Sequence, residues 1–287
     1  MNTATLVVIL VSGLAMGAIY ALIAEGLNLI WGVMKIVNLA HGELLMIGAF
    51  TALYAAQLAG WNPLVAMIPA FLLLFAVGLG LNATLMRRIV GAPELTSLLL
   101  TFGLSILITN LGVIALGAEF QSVDFLQVGV SIAGGAVAAN QLVVAVAAVA
   151  LSFVMYGVLR RTRLGRAIRA VAIDGEMAER VGINTRRIHA ITFGLGAALA
   201  GVAGALVSSI VPFNPLVGQT FILKAFAVVV LGGMGNFMGA LVGGLLLGVV
   251  EAAESYLWSV QLSEGVAFVM IILTLLLRPS GILGGRS

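Results

Sequence analysis

Long stretches of this chain carry no Asp, Glu, Lys or Arg, among them 44–86, 95–118, 125–159, 188–223 and 225–250. A transmembrane helix needs roughly 20 mainly apolar residues, so the longer stretches hold one span, or two divided by a polar hinge. Val143–Leu159, VVAVAAVALSFVMYGVL, lacks the period-two alternation of a membrane barrel strand. The pattern predicts helices near 5–31, 38–59, 62–86, 95–117, 140–160, 188–211, 236–256 and 262–278, with Gly60-Trp61-Asn62-Pro63 dividing the second from the third. Gln219–Met234 is short for a crossing and reads as a re-entrant or broken helix. Such backbone is tolerated at membrane depth where protein or a water-filled cavity surrounds it. The 126–141 stretch, with GVSIAGGAVAANQ, reads as an external loop or hairpin. The expected fold is an all-α integral membrane protein of about eight transmembrane helices plus the re-entrant or broken one, in a single membrane domain over 1–287.

Composition agrees. The chain is 62% hydrophobic and 9% charged, against roughly 25% charged in an ordinary soluble domain. That is too little charge to cover a soluble globule. The first span has no basic segment before it and is longer than a signal-peptide core, so it is read as a retained span. Cysteine is absent, which excludes disulfides, thiolate metal sites and thiol chemistry.

Charge then orients the spans. Eight arginines and three acids fall between Arg160 and Arg187. Loops rich in Lys and Arg stay in the cytoplasm, which places this one, and Arg87-Arg88, inside. The loop bearing Glu119 and Asp124, without a basic residue, then lies outside, as does the N-terminus. Arg278 and Arg286 favour an inside C-terminus, provided Gln219–Met234 counts as a crossing. The net charge of +3 reflects this bias and gives no case for nucleic acid.

The arginine-rich loop, about 161–187, has a second feature. Ala167, Ile168, Val171 and Ala172, then Met177, Ala178 and Val181, recur at three- and four-residue spacing, as on amphipathic helices. Two short helices lying on the membrane surface fit, with Gly182 ending the second. A solvated inside loop accounts for the charge alone. An ordered helix with a small apolar face is what a docking partner grips.

Here the residues carry a family resemblance. Glu176-Met177-Ala178-x-x-x-Gly182 resembles the E-A-A-x-x-x-G loop of ABC-importer permeases, with Met in place of the middle small residue. GRAIRAVAIDGEMAERVGIN is similar to the corresponding loop of branched-chain amino-acid permeases. So are Asn38-Leu39-Ala40-His41-Gly42-Glu43 with Met46-Ile47-Gly48, Lys224-Ala225-Phe226, and Val230-Leu231-Gly232-Gly233-Met234-Gly235. Gly239-Ala240-Leu241-Val242-Gly243-Gly244 and Pro279-Ser280-Gly281-Ile282-Leu283-Gly284 extend the match over nearly the whole chain.

The resemblance implies an inner (plasma) membrane permease subunit of a bacterial or archaeal ABC importer, carrying branched-chain or related hydrophobic amino acids. It implies two ATPase subunits, a second related permease chain and an extracytoplasmic solute-binding protein. The chain has no G-x-x-x-x-G-K-[ST] phosphate loop, so ATP and Mg belong to the partners and no cofactor is expected on this chain. Gly165, Arg166, Arg169, Asp174, Glu176, Ala178 and Gly182 would form the coupling element.

Polar residues inside spans are the other candidates, since they are costly there and usually functional. Glu25, expected beside Asn28 in the cytoplasmic half of the first span, either faces the transport pathway or ends the span at an interface. Asn38, His41 and Glu43 open the second span; Asn38 suits an N-cap, and the motif as a unit suits a structural or gating role. A metal site is not expected, because HGE is not H-E-x-x-H and His189 is the one other histidine. Lys224 either snorkels to an interface or pairs with Glu251 or Glu254. Gly235, Gly239, Gly243, Gly244 and Gly248, and likewise Gly196, Ala200 and Gly204, have the spacing of closely packed helices. Gly232 and Gly233 are further candidates for lining a pathway with bare backbone. The rival function is a secondary transporter or channel for a small polar solute such as urea or a short amide, with Glu25 as ion carrier. A membrane enzyme would need a convergent acid, base or nucleophile set, and none is legible.

Overall fold

The computed structural model describes residues 3–257 and 260–284. Eight long helices lie close to the predicted spans: α1 (Thr3–Met34), α2 (His41–Ala59), α3 (Pro63–Thr84), α4 (Glu94–Leu116), α5 (Ala139–Arg161), α8 (Thr185–Val207), α10 (Phe237–Leu257) and α11 (Val260–Leu277). Between α5 and α8 lie the short α6 (Arg163–Ile173) and α7 (Gly175–Arg180), and α9 (Val217–Gly232) precedes α10. The 126–141 stretch contains a hairpin, β1 (Gly129–Ile132) with β2 (Gly135–Ala138), antiparallel with Gly129 opposite Ala138. Local chemistry sets several ends. Asn62 caps α3 with its side chain, Pro63 follows at the first helical position, and Gly60 closes α2 in the left-handed region at φ 66°.

The core is built on α8, which is buried along almost its whole length between α1, α2 and α3, while α10 packs on α1 and α9. Small residues let these backbones meet. A methyl built on Gly48 would sit 2.1 Å from the Gly201 carbonyl, one on Gly204 2.0 Å from Leu45 O, and one on Gly248 2.3 Å from Gly13 O. Gly196, Gly239, Gly243 and Gly244 also leave no room for a methyl, with nearest atoms at 2.6, 2.1, 2.9 and 2.6 Å, so the four-residue spacing marks helix contacts as the sequence predicts. Gly235 differs, because a methyl there would meet only ordinary contacts at 3.8 Å, and at a φ of 81° it serves the turn before α10.

The 219–234 segment departs from expectation. It is not broken but forms the continuous 16-residue α9, about 24 Å long and shorter than the roughly 30 Å hydrocarbon core. Its ends lie at opposite ends of the bundle. Before it, Phe213 exchanges backbone hydrogen bonds with Gln121, Val123 N donates to Ser208 O, and Asn140 donates to Ser209 O. After it, the 233–236 turn is held by Asn28 of α1, while Ile282 N donates to Leu231 O at 2.7 Å. The second end also carries α6. The chain therefore passes from one end of the bundle to the other along α9, and the tail at 278–284 returns to the arginine-bearing end. Arg286 lies outside the described residues.

Candidate functional site

The arginine-rich element begins where α5 ends. Thr162 caps α6 by accepting from Gly165 N, and a methyl on Gly165 would lie 2.0 Å from Leu159 O. Gly165 is thus a tight elbow, with the Arg169 guanidinium donating to that same Leu159 carbonyl. Asp174 caps α7 by accepting from Met177 N at 3.0 Å, and Gly182 leaves α7 with φ 88°. Arg166 and Glu176 point to solvent.

The apolar face is divided. Ile168, Val171 and Ala178 are buried against the bundle. Ala178, expected in the coupling element, is 3% exposed and faces the bundle, not outward. Ile173, Met177 and Val181 are 87%, 55% and 76% exposed. They recur at every fourth position, a signal that Ile173 completes and that the sequence reading missed.

Within the bundle, Lys224 of α9 pairs with Glu251 of α10 and donates to the Tyr20 hydroxyl at 3.0 Å, its ammonium 5.0 Å from the Tyr20 ring centroid. Pairing, not snorkelling, is its state. Glu254 is not its partner; it is buried with one carboxylate oxygen unpartnered among the described residues.

Glu25 is fully buried in the α1–α5 seam. Neither oxygen finds a hydrogen-bond partner among the described residues, and the hydroxyl of Ser152 faces it outside bonding geometry. The interior placement is as expected; the company of Asn28 is not. Asn28 is turned away to hold the 233–236 turn, donating to Asn236 O at 2.8 Å and accepting from Gly235 N at 2.6 Å.

The start of α2 also differs from expectation. Ala40, not Asn38, holds the N-cap position, and no side chain caps the helix. The connector from Lys35 to Ala40 folds inward, starting from a left-handed Lys35 at φ 54°. Thr101 of α4 pins it, donating to Val37 O at 3.0 Å and accepting from Leu39 N at 3.1 Å. Asn38 is left fully buried, its side chain unpartnered among the described residues. His41 Nε2 donates to Ile23 O at 3.1 Å. Glu43 accepts from Ser105 at 2.7 Å and Thr109 at 3.3 Å. The polar series Ser97, Thr101, Ser105, Thr109 lies every fourth residue along α4 and was legible in the sequence, though its partners were not.

Comparison with known proteins decides the family. The family described as "Branched-chain amino acid transport system / permease component" matches residues 9–275. The high-affinity branched-chain amino acid transport system permease protein BraD of Pseudomonas aeruginosa is 37% identical, over 96% of this chain and 94% of BraD. The corresponding LivH of Escherichia coli is 34% identical over 95% of this chain and 94% of its own length. A probable branched-chain amino acid transport permease protein, LivH of Methanocaldococcus jannaschii, is 27% identical over 92% and 88%. No solved structure matches.

The chain belongs to this permease family.

It is a multi-pass membrane permease, and the match favours the importer reading over the secondary transporter or channel. The glycines of the permease motifs then take their places. Gly232 is packed against Gly239, where a methyl would lie 2.2 Å from the Gly239 carbonyl carbon and oxygen. Gly233, at φ 100°, lies against the Ser280 carbonyl and Gly284. Their expected role as bare-backbone pathway lining gives way to contact between α9, α10 and the C-terminal tail, for which a side chain leaves no room.

Proposed function

We propose that this permease is the translocation subunit for branched-chain aliphatic amino acids in an ATP-driven importer. The observation that carries it is the family match along nearly the whole chain, with relatives named for that transport. Two ATPase subunits, a second related permease and an external solute-binding protein complete the assembly. ATP and Mg²⁺ are held by the ATPases; this chain has no enzymatic step of its own.

The ATPases grip the exposed ridge of Ile173, Met177 and Val181, with Arg166 and Glu176 beside it. Gly165, Arg169, Asp174 and Gly182 fix the shape of that handle, and Ala178 seats it. Because Arg169 and the Gly165 elbow tie α6 to the last turn of α5, motion of the handle passes to α5. From there it reaches the α1–α5 seam that holds Glu25, and opens one end of the pathway as the other closes. His41, Glu43 and Asn38 set the position of α2 in that movement.

Met177→Asp and Val181→Asp test the handle. Each is expected to cut co-purification of the ATPase by tenfold or more and to stop uptake, with the melting temperature of the permease unchanged. Undiminished recovery with normal uptake would remove the docking assignment. Proteoliposomes holding the permease without ATPases are expected to accumulate nothing under a proton gradient; accumulation there would put the secondary-transporter reading first.

A further inference from the structure

Between the arginine-bearing ends of α1, α5 and α6 and the turn before α10 lies a cleft of about 790 Å³. Lys35, Arg160 and Arg169 line it, and no Asp or Glu does. The Lys35 ammonium lies 4.4 Å from the Trp31 ring centroid, and Arg160 donates to the Tyr156 hydroxyl at 2.6 Å. None of the three cations has a carboxylate partner; among the described residues the one ion pair is Lys224–Glu251. The concavity is therefore positive and uncompensated by its own chain.

A second groove, of about 550 Å³, runs along the outer side of α5 over Phe153, Tyr156, Gly157, Arg160 and Arg161. It shares Tyr156 and Arg160 with the cleft, so the two adjoin at that pair. Phe153 is 55% exposed at its apolar end. Trp31 beside Lys35 is the residue pairing of a membrane–water interface, and arginines at this end of the bundle place it on the cytoplasmic side. Basic pockets at that depth attract anionic headgroups, because the cytoplasmic leaflet carries the negative lipids.

We propose that cleft and groove together bind an anionic phospholipid of the inner leaflet. Its phosphate is held among Lys35, Arg160 and Arg169, with the Tyr156 hydroxyl at hand, and an acyl chain lies along Phe153 and Gly157. A free phosphate would use the cations alone and would have no need of the apolar groove. The lipid would bridge α1, α5 and α6 at the point where the coupling element meets the bundle.

The test measures binding of phosphatidylglycerol and of phosphatidylcholine to the purified, delipidated importer complex by native mass spectrometry. A cation near an anionic surface contributes about 1 kcal/mol, so Lys35→Gln with Arg160→Gln is expected to weaken phosphatidylglycerol roughly thirty-fold and leave phosphatidylcholine unchanged. Gly157→Leu fills the groove without touching charge; a methyl there meets nothing within 4 Å, so the helix accepts it. It is expected to weaken phosphatidylglycerol too, with unaltered melting. Wild-type phosphatidylglycerol affinity in both variants overturns the proposal. So does displacement of phosphatidylglycerol by millimolar inorganic phosphate with no effect of Gly157→Leu, which would mark a free-anion site. Loss of the ATPase from the double variant with lipid binding intact would assign the cations to a protein partner instead.

Discussion

Lys224 and Glu251 show how a charge survives in a mostly apolar interior. Each is little exposed, at 12% and 13%, and each answers the other, with the Tyr20 hydroxyl as a third member. Removing one partner of such a pair costs roughly 3–5 kcal/mol, because the survivor stays desolvated and unpaired. Lys224→Met is expected to lower thermal stability in detergent by that order, and Lys224→Met with Glu251→Leu to recover most of it. A double variant as unstable as the sum of its singles would show that the two do not act as a pair. Glu25 is the opposite case, a buried acid with no partner found. An unpaired charge at the membrane centre costs about 2.5 kcal/mol or more on insertion scales, which makes Glu25 the residue to test for a role in transport. Glu25→Gln is expected to leave recovery of folded permease unchanged and to lower uptake per folded molecule. Wild-type uptake in that variant would reduce Glu25 to a structural residue. From sequence, Lys224 could snorkel or pair, and with either Glu251 or Glu254, because deciding these needs the relative rotation of α9 and α10.

At the scale of elements, contact between helices is a matter of backbone distance. Gly48 against Gly201 leaves no space for a methyl, whereas Gly103 on exposed α4 has nothing within 4 Å. Gly48→Ala is therefore expected to destabilise by roughly 1–3 kcal/mol, the usual cost of overpacking. Gly103→Ala should be neutral or slightly stabilising, since it removes a helix-interior glycine. Thermal melts of the two in one detergent check the contrast; equal melting would mean that the α2–α8 contact yields easily. Helix existence was legible because each span is a long apolar run. Helix starts were less so. The Asn38 N-cap failed because Thr101, 62 residues beyond Leu39 and 64 beyond Val37, holds the 35–40 connector inward, and α2 starts at His41.

For the whole molecule, α9 decides which segments share an end of the bundle. It joins the end that holds the Gln121–Phe213 pairing to the end that holds α6 and the tail. The loop at 117–128 thus lies at the end opposite α7 and the 278–284 tail; if the arginine-bearing end is inside, the loop is expected outside. The absence of cysteine makes this directly measurable. A single cysteine at Phe120 should react with an impermeant maleimide added outside, and one at Met177 or Leu283 only after the membrane is opened. Labelling of Leu283→Cys from outside would return α9 to a re-entrant path.

The sequence by itself determined that the chain lives in a membrane, where most spans run and which family it joins, and it set the expectation that the arginine-rich loop faces the cytoplasm. These follow from run length, charge count and linear motifs, all of which are local. Only the tertiary structure decided that Ala178 faces inward while Ile173 faces out, that Gly232 and Gly233 pack instead of lining a path, and that Asn28 serves a turn. It also decided that Lys35, Arg160 and Arg169 meet at one cleft. Each of these depends on which face of a helix meets which neighbour. In a chain apolar on nearly every side, hydrophobic periodicity leaves that rotation open, and close packing of small residues sets it.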